Sequence, residues 1–246
     1  MADEASQRII TSAQAEYDAL RNVSPEQPCP YLPGRQARSE VYFIERLTGP
    51  SYEKLLARGF RRSGRIVYRP QCRACHECRQ IRVLVNGFHA GRSARRVTRR
   101  NADVAVEVGR IAVTDEKYTL YRRYLEAQHD GSMSRTYEAF RDFLYDSPLP
   151  TLEVRYRLGD RLIGVSILDR CPKGLSSVYM FYDPELGRRS LGTFSILWEI
   201  EYCRGQNLPY YYLGYYVAGS RTMAYKARFR PAEILVDDNR WIALPQ

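Results

Sequence analysis

The sequence predicts an α+β fold in two parts, a smaller cysteine-containing α+β domain in residues 1–102 and a larger domain in residues 103–246. Three observations predict it. Apolar residues make up 44% of the 246 positions, which is typical of chains that pack a core. A chain of this length can form one large core or two modest ones. The character of the sequence also changes near residue 102, where a segment rich in arginine and cysteine gives way to longer strand and helix patterns.

The N-terminal part combines short patterned segments with one turn-forming stretch. Ala13, Tyr17 and Leu20 have helical spacing, and four prolines between residues 25 and 33 exclude a helix there and predict a turn around Cys29. The segments that follow are predicted in chain order as a weak strand SEVYFIERL, a short helix SYEKLLARGF capped by Ser51, a strand GRIVYRP, a strand QIRVLVNGF and a basic helix or turn RSARRVTRRNA.

The C-terminal part is predicted as a strand, two helices, a hairpin, a strand, a loop with a helix, and a strand. DVAVEVG is the first strand, TDEKYTLYRRYLEAQH is a helix capped by Thr114, and SRTYEAFRDFLYD is a second helix. TLEVRYRLGDRLIGVSILDRC alternates on both sides of Gly159-Asp160, which predicts a hairpin. The remaining segments are the strand LSSVYMFYDPEL, the loop and helix GRRSLGTFSILWEIEYCRGQN, and the strand LPYYYLGYYV.

The positive charge of the chain is concentrated in one stretch. The net charge is +10, and residues 61–100 contain twelve arginines, no lysine and a single acidic residue, Glu77. Arginine pairs two phosphate oxygens at once and stacks on bases, so this bias favours RNA as a partner. The alternative is a solvated basic face.

The sequence indicates a cytoplasmic protein without a membrane partner. It has no run of about 18 apolar residues for a membrane span, and its N-terminus MADEASQRIITSAQAEY lacks the basic-then-apolar layout of a signal peptide. In a reducing compartment, six cysteines are more often thiols or metal ligands than disulfides.

Four cysteines form a candidate metal site. Cys72, Cys75 and Cys78 are spaced three apart, and Cys29 in the predicted turn supplies a fourth thiol. Four thiolates are the ligands of structural zinc and of iron–sulfur clusters, and the sequence does not distinguish between the two. The predicted role of such a metal is structural or redox-sensing.

Other interpretations of the cysteines stay open. The same thiols are also compatible with buried free cysteines, which are common core residues. His76 is an alternative ligand, and Cys78 beside Arg79 is an alternative nucleophile whose pKa the arginine would lower. Cys171 and Cys203 are predicted to be ordinary core thiols.

The loop before the predicted C-terminal helix carries an anion-binding pattern. Arg189, Ser190, Gly192 and Thr193 resemble the R/Q-x-x-G-x-G/A turn with which Gcn5-related acetyltransferases hold a pyrophosphate at a helix N-terminus. Backbone N–H groups and the helix dipole attract anions there. Phe194 stands where that pattern has a small residue, which argues against coenzyme A and leaves room for another anionic donor.

With these residues in place, the chain resembles the bacterial aspartate/glutamate leucyltransferases, a branch of the arginyl-tRNA protein transferase family. The matching segments run in order from residue 28 to residue 241 and are PCPYLPGRQAR, GFRRSGRIVYRPQCRACHECRQIRV, SVYMFYDPELGRRSLGTFSILWEI, YYYLGYYVAGSRTMAYKARFRPAEIL and the final Trp241.

The resemblance implies a C-terminal domain like the Gcn5-related N-acetyltransferases. It also implies transfer of leucine from leucyl-tRNA to the α-amine of proteins that begin with Asp or Glu, which marks those proteins for degradation in the N-degron pathway. The alternatives are arginine as the transferred residue, a coenzyme A-dependent N-acyltransferase, and a metal-stapled RNA-binding module without catalysis.

The implied chemistry assigns roles to further residues. An aminoacyl ester is already activated, so its transfer to an amine needs orientation and oxyanion stabilisation, and we expect no cofactor for the transfer itself. The candidate tRNA-binding residues are Arg95, Arg96, Arg99, Arg100, Arg188, Arg189, Ser190, Gly192 and Thr193.

The acceptor side has its own candidates. Asp183 is a candidate to orient or deprotonate the incoming amine, with an ordinary turn residue before Pro184 as the alternative. Tyr182 is a candidate to stack on the terminal adenine, with core packing as the alternative for it and other strand tyrosines. Arg35, Lys226 and Arg228 are candidate cations for the acidic N-terminal residue of the acceptor.

Overall fold

A computed structural model describes residues 22–128 and 133–245 of the chain. The helix predicted from Ala13, Tyr17 and Leu20 lies outside these residues. No helix in the described part is long and apolar enough to cross a membrane.

The N-terminal part begins with six short strands in two small sheets. They are β1 (Asn22–Val23), β2 (Gln27–Pro28), β3 (Gln36–Ala37), β4 (Ser39–Phe43), β5 (Arg61–Ser63) and β6 (Ile66–Pro70). The order β1-β4-β6-β5 forms a four-stranded sheet, and β2 pairs with β3 on either side of the predicted cysteine turn. The strands predicted in SEVYFIERL and GRIVYRP are confirmed as β4 and β6.

Helix α1 (Gly49–Leu56) confirms the short helix predicted after β4. Its predicted cap, Ser51, is wrong. The N-cap is Thr48, whose Oγ1 accepts a hydrogen bond from the Ser51 backbone N–H at 3.2 Å. The helix begins earlier than expected because Pro50 is tolerated in the first helical turn, where its missing N–H costs no hydrogen bond.

One eight-stranded sheet dominates the rest of the molecule. Its strands are β7 (Arg79–Leu84), β8 (Ala105–Arg110), β9 (Thr151–Leu158), β10 (Arg161–Cys171), β11 (Gly174–Tyr182), β12 (Tyr210–Tyr216), β13 (Ala232–Asp237) and β14 (Arg240–Ala243). They lie in the order β14-β13-β7-β12-β11-β10-β9-β8. The predicted hairpin is confirmed as β9–β10 with Gly159 at φ +57° in its turn. Strands β13 and β14 were not predicted.

Strand β7 ties the two halves of the sequence together. It pairs antiparallel with β12 on one side and with β13 on the other. Ile81 and Val83 on this strand are fully buried, which matches a strand in the interior of a sheet. The large sheet therefore takes one of its strands from the predicted N-terminal domain, and the domain boundary at residue 102 stays a prediction.

Helices cover both faces of the large sheet. They are α2 (Arg92–Arg100), α3 (Asp115–Gln128), α4 (Tyr137–Phe140), which continues as a π-helical turn over Arg141–Tyr145, and α5 (Leu191–Gly205). Leu162 packs in one core with α3 and α4, and the next residue, Ile163, packs in another core with α5. Successive residues of a strand point to opposite faces, so the sheet lies between two helical layers.

A third core joins the small sheet to the large one. Tyr42 of β4, Tyr52 of α1 and Val67 of β6 are buried together with Cys171 and Tyr212 of the large sheet. Cys171 and Cys203 are both buried, as predicted. The N-terminal part is thus packed onto the sheet through shared apolar side chains, and hydrophobic burial holds the two together.

Strands β11 and β12 run parallel but pair over three residue pairs, from Gly174–Tyr210 to Ser176–Tyr212. Beyond them each strand continues along its other neighbour, β11 along β10 and β12 along β7. The pairing of β11 with β10 shifts register between Ile167 and Leu168 of β10. At this point β11 has a β-bulge. We call the opening between residues 177–182 and residues 213–216 the strand split.

A buried ion pair between β5 and β10 is expected to dominate the attachment of the small sheet. Arg62 donates to both carboxylate oxygens of Asp169 at 2.7 and 2.9 Å, and both side chains are fully buried. Asp169→Ala would leave the guanidinium buried without its partner. We expect a loss of about 3–5 kcal/mol in the free energy of unfolding, measured by urea denaturation.

The control for this prediction is Asp146→Ala. Asp146 pairs with Arg65 at 2.7 Å, but both side chains are more than a third exposed. Its loss should cost less than about 1 kcal/mol. Equal effects of the two substitutions would contradict the assignment of Arg62–Asp169 as the anchor.

Candidate functional site

Arg61 lies at the base of the strand split. Its side chain is 5% exposed; one guanidinium nitrogen donates to Ser176 Oγ at 2.9 Å, and another donates to the carbonyl of Ser177. On the opposite strand, a Cβ added to Gly214 would lie 3.3 Å from the guanidinium carbon, and Gly214 has φ +87°. Glycine is therefore required at this position for its backbone conformation and for the close approach of Arg61.

Lys226 lies on the other side of the strand split. It belongs to a 3₁₀ turn, Ala224–Arg228, and is 7% exposed. Its Nζ donates to the Tyr215 carbonyl of β12 at 2.6 Å. Burial and, to a smaller extent, the positive charge of Arg61 together lower the pKa of Lys226 to about 7, with Cys78 acting in the opposite direction. The structure thus places one predicted substrate-binding residue inside the split.

The four predicted metal ligands surround one cavity of about 670 Å³ beside the split. Tyr31, Tyr68 and Tyr215 line the same cavity as Cys29, Cys72, Cys75 and Cys78. Arg35, a predicted substrate-binding residue, is exposed and donates to the Cys75 sulfur at 3.1 Å. The cysteine turn also reaches the loop after β12, because Leu32 lies 3.2 Å from the position of a Cβ added to Gly219.

The reactive thiolate considered for Cys78 is not found. Burial first, and then the negative charge of Cys29, Cys72, Cys75 and Glu77, raise the pKa of Cys78 to about 12. Arg79 does not lower it as the sequence suggested, since its guanidinium donates to the Val236 carbonyl. A thiol with this pKa stays protonated at neutral pH.

Four thiols are suitable ligands for zinc or an iron–sulfur cluster. In this structure, however, the four side chains are not arranged around a common point. Within residues 22–128 and 133–245, no three His, Cys, Asp or Glu side chains form a group that would hold a metal ion. The thiols share a cavity and, as placed, do not form a ligand set. The metal stays a prediction.

The predicted tRNA-binding arginines from two parts of the sequence meet in space. Helix α2 carries Arg95, Arg96, Arg99 and Arg100 and has no buried residue. Arg100 donates to the carbonyl of Arg188, and Arg189 donates to the carbonyl of Arg100 at 3.1 Å. Arg189 also forms a bidentate ion pair with Asp103 at 2.7 and 2.9 Å, so the positive charge of Arg189 is partly compensated. We call the exposed set Arg95, Arg96, Arg99, Arg100 and Arg188 the arginine face.

The predicted anion loop forms the start of helix α5. Ser190 has left-handed backbone angles, φ 56° and ψ 48°, and its side chain does not cap the helix. Its carbonyl accepts from the N–H groups of Thr193 and Phe194, both at 3.0 Å. Gly192 faces the Tyr182 ring, which would lie 3.6 Å from an added Cβ. Phe194 points into the core, with its ring 5.9 Å from that of Tyr156, and so does not fill the loop.

Asp183 is engaged on all sides. Its carboxylate is fully buried and accepts from Arg123 at 3.1 Å, from Arg161, and from the Glu185 backbone N–H at 3.1 Å. These three donors occupy both carboxylate oxygens and leave the side chain closed off from solvent. This geometry favours a role in holding the turn Pro184–Arg189 over the proton-accepting role suggested by the sequence.

The strand tyrosines divide into two groups. Tyr211 and Tyr215 are buried, and their hydroxyls donate to Glu199 and to the Gly59 carbonyl, which agrees with the packing alternative. Tyr182 is half-buried beside the anion loop, with its ring 5.0 Å from that of Tyr124. Of the three candidate cations for the acceptor, Lys226 is buried, whereas Arg35 and Arg228 are exposed.

Arg61 was missed as a site residue. In the sequence it is one of twelve arginines between residues 61 and 100, and strand β5, which carries it, was not predicted. Its burial depends on contacts with Ser176 and Ser177, more than 100 residues away, which no local pattern indicates.

Comparison with known proteins finds relatives that match both halves of the chain. Two family models match it: "Arginine-tRNA-protein transferase, N terminus" over residues 27–96 and "Arginine-tRNA-protein transferase, C terminus" over residues 116–236. Among curated proteins, an aspartate/glutamate leucyltransferase from Thiobacillus denitrificans is 41% identical, covering 97% of this chain and 96% of its own. Enzymes of the same name from Hahella chejuensis and Gluconacetobacter diazotrophicus are 37% and 45% identical, covering 90% and 85% of this chain and 95% and 82% of their own.

Solved structures resemble it more distantly. FemX is 12% identical with a TM-score of 0.47, covering 86% of this chain and 68% of its own. The C-terminal domain of a lysylphosphatidylglycerol synthetase from Agrobacterium fabrum is 16% identical with a TM-score of 0.47, covering 57% and 47%. The sequence identities, which extend over both halves of the chain, decide the assignment: this chain belongs to the arginine-tRNA-protein transferase family.

Proposed function

We propose that the protein transfers leucine from leucyl-tRNA to the α-amine of proteins that begin with Asp or Glu, and so marks them for degradation in the N-degron pathway. The observation that carries the proposal is the similarity to aspartate/glutamate leucyltransferases over nearly the full length of both chains. A leucyl-tRNA substrate is cytoplasmic, so the proposed localisation is the cytoplasm.

We further infer that the C-terminal part is of the Gcn5-related acetyltransferase type. Two features support this inference. Parallel strands β11 and β12 separate after three residue pairs, next to a bulge in β11. The loop resembling a pyrophosphate-binding turn begins helix α5, at the end of the sheet where β11 ends and its last residue, Tyr182, contacts the loop. Both features would suit a donor bound at the mouth of the strand split.

The reaction balances without a cofactor. The acceptor α-amine, with a reference pKa of about 7.7–8.0, has a useful neutral fraction at cellular pH. Its nitrogen attacks the ester carbonyl, the bond from carbonyl carbon to ribose oxygen breaks, and an amide forms. The proton lost by the amine ends on the ribose hydroxyl, directly or through water. The protein's contribution is to hold the two substrates together and to stabilise the oxyanion.

The arginine face is the proposed site for the tRNA backbone. It is exposed, carries no acidic residue within helix α2, and adjoins the start of helix α5. Guanidinium groups suit phosphate oxygens, and such contacts supply affinity without reading sequence. The candidate residues Ser190, Gly192 and Thr193 lie at the edge of this face, where the acceptor end of the tRNA would approach the strand split.

Leucine transfer is tested with purified protein, leucyl-tRNA or arginyl-tRNA carrying a labelled amino acid, and peptides beginning with Asp, Glu, Lys or Ala. We expect label from leucyl-tRNA on the Asp and Glu peptides, because relatives of that specificity match the whole chain. Label from arginyl-tRNA alone would assign the other donor of the family. Parallel reactions with acetyl-CoA test the acyltransferase alternative, and an absence of product in every reaction would leave a binding module.

The arginine face is tested by the salt dependence of tRNA binding. Arg96→Ala and Arg99→Ala should each weaken binding and lower the slope of log affinity against log salt by about 0.7–0.9, the value for one lost phosphate contact. Arg122→Ala on helix α3 is the matched control, since Arg122 is exposed but pairs with Glu126. A slope lowered equally by all three substitutions would contradict the assignment.

The predicted metal is tested by metal content and by thiol titration. If the cysteines hold zinc or an iron–sulfur cluster, the wild-type protein contains stoichiometric zinc or iron after dialysis, and Cys72→Ser with Cys75→Ser removes it. The matched control is Cys203→Ser, since Cys203 is a core thiol away from the cavity. Four freely titrating cavity thiols and no metal in the wild-type protein would overturn the prediction.

A further inference from the structure

The two cations in the strand split have no acidic partner. In the part of the chain that the structure describes, no carboxylate lies within ion-pair distance of Arg61 or Lys226, although both side chains are more than nine-tenths buried. Burying a charge without a counter-charge is unfavourable. The guanidinium of Arg61 cannot lose its proton, whereas Lys226 meets this cost through a pKa lowered to about 7, so a bound anion would favour its protonated form.

Elsewhere the protein pairs its buried cations. Arg62, next to Arg61 on the same strand, has both oxygens of Asp169. Lys117 has Glu153 at 2.7 Å, with side-chain exposures of 5% and 0%. Among the buried cations of the described residues, Arg61 and Lys226 therefore differ from Arg62 and Lys117 in having no carboxylate partner, and both lie at the strand split.

Both cations contact neutral oxygens on opposite sides of the split. Arg61 uses two of its guanidinium N–H groups on Ser176 Oγ and the Ser177 carbonyl of β11. Lys226 uses its ammonium on the Tyr215 carbonyl of β12 and on the Met223 sulfur at 3.4 Å. A guanidinium has five N–H donors and an ammonium three, so donors remain for a ligand. These contacts fix both side chains in place before a ligand arrives.

The pair lies close to solvent-accessible space despite its burial. Tyr215, whose carbonyl accepts from Lys226, lines the 670 Å³ cavity, as do Gly59 and Tyr68 near Arg61. The positive charge of Arg61 reaches Lys226 and contributes to lowering its pKa. Two like charges held together in this way would be stabilised by one anion between them.

We propose that Arg61 and Lys226 bind the side-chain carboxylate of the acceptor's N-terminal Asp or Glu. This inference rests on the proposed leucine transfer. The carboxylate of either residue is joined to the reacting α-amine through a short side chain, so a cation pair at the base of the split holds the amine near the ester. Arginine offers a planar fork that matches a carboxylate, and lysine adds a second charge at the other strand.

Burial explains why this pair, and not the exposed candidates, sets the specificity. An exposed cation such as Arg35 or Arg228 gains little from an ion pair with a solvated carboxylate. A desolvated cation pair rejects the neutral amides of Asn and Gln, because those would leave both charges uncompensated. The phosphates of the tRNA are proposed to bind instead to the arginine face, which is exposed and therefore accessible to a polynucleotide backbone.

The test is the preference of the enzyme for peptides beginning with Glu over the isosteric Gln. The variant is Lys226→Met, which removes the charge and keeps the length of the side chain. We expect the Glu-to-Gln ratio of kcat/KM to fall by at least about 30-fold, mostly through KM for the Glu peptide. Below pH 7, where Lys226 is mostly protonated, the same variant should be at least as stable to heat as the wild type, because an unpaired buried charge is gone.

Lys173→Met is the matched control, since Lys173 is exposed in the β10–β11 turn and should leave the ratio unchanged. Arg35→Met and Arg228→Met test the competing cations, and a larger fall in the ratio with either of them overturns the inference. Arg61→Lys keeps the charge and loses the fork, and should lower the ratio less than Lys226→Met if both cations share the carboxylate.

Failure of the inference is distinguishable from failure of the proposed function. If the wild-type enzyme transfers no leucine, the proposed function is wrong. A wild-type enzyme that works, with a Lys226→Met variant that slows Glu and Gln peptides equally, keeps the function and overturns the carboxylate site. An unchanged ratio with altered reactivity of the cavity thiols would assign the cations to the cysteines, and it also overturns the inference.

Discussion

Strands β11 and β12 stop pairing after three residue pairs, so from Ser177 and Leu213 onward two backbone edges face each other across an opening inside the sheet. Buried N–H and C=O groups need partners, and an unpaired edge within a protein has to be met by side chains, water or a ligand. Arg61 and Lys226 meet two of these carbonyls, at Ser177 and Tyr215. Most of what is distinctive in the candidate site follows from this opening.

The N-terminal part of the chain is built into the site. It supplies β7 between β12 and β13, Arg61 at the base of the split, and the cysteine turn that lines the adjoining cavity. The Arg62–Asp169 pair and the shared third core hold it against the large sheet. Since β12 pairs with β7, the position of one wall of the split depends on the N-terminal half, and a C-terminal half by itself would lack both β7 and Arg61.

Arginine has two different tasks in this molecule, and burial separates them. The arginine face is exposed to solvent, which suits a polyanion whose phosphates are spaced along a flexible backbone. Arg61 and Arg62 are desolvated and fixed by hydrogen bonds, which suits a single defined partner. Arg62 has that partner within the fold, and Arg61 has neutral acceptors alone among the described residues.

From the sequence one can predict the α+β class, most of the strands and helices, the basic face and the family. These depend on local patterns, such as the alternation on both sides of Gly159-Asp160, or on long matching segments such as GFRRSGRIVYRPQCRACHECRQIRV. The sequence does not indicate β13, β14 or the short strands β1, β2, β3 and β5, and it places the cap of α1 at Ser51, whereas the helix begins at Gly49 with Pro50 in its first turn.

Only the tertiary structure decided which charged side chains are buried and what they meet. Twelve arginines between residues 61 and 100 look alike in the sequence, and burial and partners depend on residues more than 100 positions away, such as Asp169 for Arg62 and Ser176 for Arg61. The same holds for Asp183, whose three partners come from α3, β10 and its own turn. Pairing across such distances is fixed by how the strands are ordered in the sheet, and a linear pattern carries no record of that order.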